Sequence, residues 1–135
     1  MQADAADPDQ VAELFDEAES LIGSSPQPAG HGAILLTGAT AGVKGFAHSA
    51  AFAMGKFALR GLAQSAAREL GPAGIHVAHF IVDGGVRPSY RQGVPDQSDS
   101  MLDPDAVAQS YLSVLAQPRS AWTNELDLRP WVERF

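Results

Sequence analysis

The sequence predicts an α/β chain built on a parallel sheet, and three observations carry the prediction. Residues 33–37 and 75–82 are apolar runs of strand length. The second, IHVAHFIV, is apolar almost throughout, as expected of a parallel strand covered on both faces. Residues 49–70 between them, and the segment after Asp103-Pro104-Asp105, are helix-forming. Strand and helix therefore alternate, the order in which parallel strands are joined by right-handed crossovers.

Each element has its own local cause. Asp7 is an N-cap candidate, Pro8 occupies the first helical position, Gln10 stands at the capping-box position, and acidic groups sit near the positive end of the helix dipole. Val11, Leu14, Phe15, Ala18, Leu21 and Ile22 follow at helical spacing, and Gly23 ends the helix. Residues 24–32, SSPQPAGHG, have the Ser, Pro and Gly content of a connector. In the long helix Phe52, Leu59, Leu62, Ala63, Ala66 and Leu70 fall on one side, and Gly71-Pro72 stops it. Asp103-Pro104-Asp105 repeats the N-cap signature, and Val107, Tyr111, Val114 and Leu115 give the next helix an apolar face. Residues 125–128 form a last short strand, with Trp131 and Phe135 as C-terminal anchors.

Composition narrows the function. The chain has 135 residues, enough for one domain, with 45% hydrophobic and 19% charged residues, so it can build a core. A net charge of −7 without any Lys/Arg cluster excludes nucleic acid and anionic membrane as expected partners. With no cysteine there is neither a disulfide framework nor a thiolate metal site, which suits a reducing cytoplasm. The opening MQADAADPDQ is acidic and polar, unlike a secretory signal, and no apolar run reaches bilayer length. The expectation is a cytoplasmic protein without a resident metal.

The stretch ILLTGATAGVKG, residues 34–45, poses the functional question. An apolar run that turns into spaced glycines, Gly38, Gly42 and Gly45, is how a dinucleotide-binding loop begins, because glycines let backbone N–H groups approach the phosphates. In such a unit an acidic residue grips the ribose about 20 residues further on. Here the next strand ends in Asp83, 38 residues after Gly45, too far for that role.

The longer segment AAFAMGKFALRGLAQSAARELGPAGIHVAHFIVDGG instead resembles the centre of the short-chain dehydrogenase/reductase family. In that family a strand ends in a catalytic serine, Y-x-x-x-K opens the following helix, and the next strand closes in Pro-Gly. The opening stretch then corresponds to the catalytic-serine strand, not to the phosphate loop. ADAADPDQVAELFDEAESLIG resembles the family segment after its third strand, and DPDAVAQSYLSVLAQPRSAWTNELDLRPW its last helix and strand. The fold implied is a partial Rossmann-like, doubly wound parallel sheet lacking the N-terminal phosphate-binding strands. The chain is identified as a single partial domain of a truncated or internally deleted member. Residues 1–23 form an N-terminal helix segment, 24–32 a connector at the deletion, and 33–135 the catalytic half.

The resemblance implies an NAD- or NADP-dependent oxidoreductase for a carbonyl or alcohol, and it shows what has changed. Lys56 keeps the family lysine, which bonds the nicotinamide ribose and tunes the tyrosine. Phe52 stands at the tyrosine position and Ala39 at the serine position. Proton transfer by a phenol is the family's chemistry, and phenylalanine has no proton to give. Thr40 beside Ala39 is a possible substitute, although a threonine there also suits the capping of backbone groups. Asp4 takes the place of the adenine-contacting aspartate, and Asp83 and Gly84 replace Pro-Gly, with backbone contacts near a carboxamide. Lys56 and Asp4 are equally consistent with solvated side chains. His48 reads as a surface residue at a helix start and as a conceivable proton carrier. His76 and His79 are at odd spacing in one strand and face opposite ways, against a shared metal. Tyr90 lies where the family has a mobile substrate lid. Impaired turnover is one expectation. The other is a non-catalytic remnant that forms homo- or hetero-oligomers, through helix 49–70 and the C-terminal helix and strand.

Overall fold

The computed structural model describes residues 32–88 and 99–134. Along the chain run β1 (Gly32–Ala39), a 3-10 turn (Thr40–Gly42), α1 (Ala50–Leu70), β2 (Ile75–Val82), α2 (Pro104–Leu115), a second 3-10 turn (Arg119–Ala121) and β3 (Glu125–Leu128). The predicted N-terminal helix, the connector up to His31, Asp4, Tyr90 and Phe135 lie outside the described residues. Gly32, expected in the connector, opens β1, which also runs two residues past Thr37.

The three strands lie side by side in the order β1-β2-β3, both pairings parallel. Strand β2 is central and deeply covered, so its nearly unbroken apolar sequence has the cause inferred for it. Alternation along β2 divides the core in two. Val77 points to α1, packing with Ala66 and Leu70 and with Ile34, Leu36 and Ile75. Ala78 and Phe80 point the other way, against Val114 of α2, with Leu35, Tyr111, Leu126 and Leu128 around them. One helix on each face makes the sheet doubly wound. Full burial of side chains such as Phe80 and Val77 contributes about 1.5–3 kcal/mol each.

Two expectations about packing are corrected. Phe52 shares the helical phase of Ala63, Ala66 and Leu70 but is 57% exposed, whereas Ala53 is buried. In a parallel crossover the helix starts at the C-terminal edge of the sheet, so the first turn of α1, which carries Phe52, stands at that edge and not over its middle. Trp131, expected as an anchor, is 80% exposed, and its indole Nε1 donates to Asp99 Oδ2 at 3.0 Å. The caps hold as read for α2: Asp103 accepts from the Asp105 N–H at 2.9 Å and Pro104 opens the helix.

Candidate active site

The C-terminal ends of the three strands place the candidate site. Register does most of the work. Ala39 pairs with Val82, and Val82 with Leu128, so one further step along each strand sets Thr40, Asp83 and Arg129 side by side. The Thr40 hydroxyl donates to Asp83 Oδ1. Asp83 is 2% exposed, and its Oδ2 makes no hydrogen bond but lies 3.7 Å from Arg129 Nε. Arg129 also pairs with Asp127 of β3. A charge-assisted network thus crosses all three strand ends. Thr40 therefore bonds another side chain, not the backbone groups that a capping threonine would engage.

Lys56 meets this edge from above. One turn after Phe52, its Nζ donates to the Thr37 carbonyl at 3.1 Å and lies 5.8 Å from the Phe52 ring centroid. The 3-10 turn after Thr40 packs closely on α1, where a Cβ on Gly42 would lie 3.1 Å from the Lys56 carbonyl oxygen. Ala39, half-buried and extended, ends β1 with no polar side chain to offer. Gly84 follows Asp83 at φ +148°, a conformation L side chains rarely adopt, and a Cβ there would meet Pro130 Cδ at 2.9 Å. The structure thus brings together Thr40 with Asp83, and Lys56 with Phe52.

The histidines are divided as their spacing predicts. His76 stacks on Trp122 at 4.6 Å between centroids, and its Nε2 meets the Thr123 carbonyl oxygen at 2.9 Å. His79 is buried on the α1 side, with Nδ1 3.2 Å from Glu125 Oε2. Arg60 holds the same carboxylate through two bonds of 2.7 and 2.8 Å. The hydrogen bond from Arg60 lowers the Glu125 pKa, with the bond to His79 acting the same way, while burial opposes both. His79 and Glu125 border a groove of about 430 Å³ between α1 and the start of β3, away from the strand ends. His48 is exposed in a left-handed turn, φ 64°. Among the described residues no group of three or more His, Cys, Asp or Glu could hold a metal. No described helix is long and apolar enough to cross a membrane.

Sequence reasoning missed Arg129. Its only signal was a position just beyond a short predicted strand, and its meeting with Asp83 depends on β3 lying next to β2.

Comparison with known proteins places this geometry. The family model described as short chain dehydrogenase matches residues 25–98. A short-chain dehydrogenase from Rhodopseudomonas palustris is 40% identical with a TM-score of 0.65, the match covering 87% of this chain and 44% of that one. For a 3-hydroxyacyl-CoA dehydrogenase type-2 from Mycobacterium avium the values are 26%, 0.69, 93% and 52%. A serine dehydrogenase complexed with NADP+ shares the fold at 18% identity and a TM-score of 0.72, over 93% of this chain and 53% of that one. The chain spans about half the length of these structures. No curated protein matches it.

Proposed function

The chain belongs to the short-chain dehydrogenase family, and from that premise we propose that the site at its strand ends serves NAD(P)-dependent oxidation or reduction of an alcohol or carbonyl, with the proton step impaired. The observation that carries this reading is Phe52: it stands where the family has its phenol, in the first turn of α1, with the Lys56 ammonium 5.8 Å from its ring. A phenylalanine cannot donate to an alkoxide, and Ala39 cannot bond a carbonyl oxygen.

The residues that would face the cofactor fit it in part. The nicotinamide dinucleotide supplies hydride transfer when bound. Lys56 would hold the nicotinamide ribose, and the backbone at Asp83 and Gly84 would lie near the carboxamide. Asp4, for the adenine, lies outside the described residues. The tight spaces at Gly42 and Gly84 are filled by the chain's own Lys56 carbonyl and Pro130. Neither glycine is therefore a phosphate cradle. NAD or NADP would thus be gripped mainly at its nicotinamide end and bound weakly.

Titration of the purified chain with NADH and NADPH, read by reduced-nicotinamide fluorescence, tests the proposal. Saturation below millimolar cofactor supports it. No binding up to millimolar cofactor overturns it for this chain.

A specific observation favours a second reading, assembly. Met54 and Phe57 on α1 are 71% and 46% exposed, and Leu112 and Leu115 on α2 are 58% and 49% exposed. Apolar helix faces of this kind suit pairing with a second copy or a longer relative. Light scattering of the wild type against Met54→Lys/Phe57→Lys decides it: a dimer that the double variant abolishes supports the reading, and a wild-type monomer overturns it.

A further inference from the structure

We propose that Thr40 and Asp83 form a hydrogen-bonded relay that accepts a proton from a ligand hydroxyl, so that the site at the strand ends takes its substrate in the alcohol form. The inference rests on these strand ends being the substrate site proposed above. It deepens that reading by giving the site a side chain able to handle a proton.

The direction of one hydrogen bond is decisive. Thr40 carries a single hydroxyl proton and directs it to Asp83 Oδ1. Its oxygen therefore offers a ligand only lone pairs. Such an oxygen receives a bond from an alcohol O–H and has nothing to give a ketone oxygen. Three constraints hold Asp83 in position to accept: it is 2% exposed, register sets it beside Thr40, and Arg129 Nε lies 3.7 Å from its second oxygen.

Two other described hydroxyls, those of Thr37 and Ser49, are committed elsewhere. Thr37 Oγ1 is 2.8 Å from the Tyr111 hydroxyl on the α2 face. Ser49 Oγ donates to the Phe46 carbonyl at 2.9 Å. Thr40 sits at the turn packed on α1 beside Lys56, next to the position where Ala39 supplies no hydroxyl.

The step balances as proton transfer alone. The ligand O–H bond breaks as its proton moves to Thr40 Oγ1, and the proton that Thr40 held moves to Asp83 Oδ1. The ligand is left as an alkoxide and Asp83 as a carboxylic acid; the reverse transfer resets the pair. Thr40 is the residue that touches substrate, and Asp83 is a positioning residue and proton store. Among the described residues, Asp83 is paired with Arg129 after β3 and, through it, with Asp127 within β3.

Thr40→Val keeps the shape of the side chain and deletes the hydroxyl, and Thr40→Ser retains it. The first measurement is the carboxyl 13C chemical shift of Asp83 without ligand at neutral pH. Loss of the donated bond should move that resonance in Thr40→Val, and Thr40→Ser should restore it. Identical shifts for all three proteins overturn the relay. The second measurement is binding of cyclohexanol and cyclohexanone by ligand-observed NMR. We expect the wild type and Thr40→Ser to bind cyclohexanol preferentially, and Thr40→Val to bind it about tenfold more weakly, the scale of one lost hydrogen bond. Equal binding of the two probes, binding of neither, or an unchanged Thr40→Val overturns the proposal. The NADH and NADPH titration is read separately. Alcohol preference without cofactor saturation counts against the oxidoreductase reading while the relay stands, and saturation without alcohol preference does the opposite.

Discussion

Arg60 grips Glu125 through both carboxylate oxygens, joining the middle of α1 to the first residue of β3 while the same carboxylate faces buried His79. The two partners are each about a third exposed, so solvent screens the pair and its worth is modest. Glu125→Gln should cost about 1 kcal/mol at neutral pH, measured by urea denaturation. The folded-state pKa of Glu125 lies below its ordinary value of 4.5. Its contribution is therefore present above that pH and lost as pH falls through the lowered folded value. The stability gap between wild type and variant should close on acidification below pH 4.5; a gap that stays constant there would contradict the assignment.

Gly38→Ala should damage the core. The added Cβ would lie 2.2 Å from His79 Nε2, and the ring has little room to retreat because it is 1% exposed. A loss of about 2–3 kcal/mol is expected from such overpacking. Adding His79→Ala should recover part of it, and a thermal melt of both variants checks the coupling. Additive losses would place the cause elsewhere.

Phe52→Tyr tests what the proton step lacks. The ring is exposed, so the added hydroxyl should change stability by less than about 0.5 kcal/mol. Under the proposed function it should raise turnover of a secondary alcohol with NAD+ or NADP+ by roughly 100-fold, the scale of general acid–base catalysis. Unchanged turnover in a variant that binds cofactor would show that the phenol is not the missing element.

Asp103→Ala should fray α2. The side chain accepts from the Asp105 N–H and also pairs with Arg87, so the loss should be about 1–2 kcal/mol. Amide hydrogen exchange should accelerate most in the first turn of α2, around Asp105 to Val107. Uniform acceleration through the chain would argue against a local cap.

Much of this protein was legible in one dimension because its causes are local. IHVAHFIV is so apolar that it had to be a covered strand, and β2 spans the predicted residues. Asp103-Pro104 announces α2, and Gly71 closes α1, by the backbone chemistry of caps and stops. The resemblance to the family's Y-x-x-x-K singled out Phe52 and Lys56, and a helix keeps residues four apart on one side. What only the tertiary structure decided are meetings between strands far apart in the chain. Sheet order and register set Thr40, Asp83 and Arg129 in a row, and register arises from packing on both faces at once. The same cause explains Phe52: helical phase assigns it a face, but whether that face is covered depends on where the sheet beneath it ends.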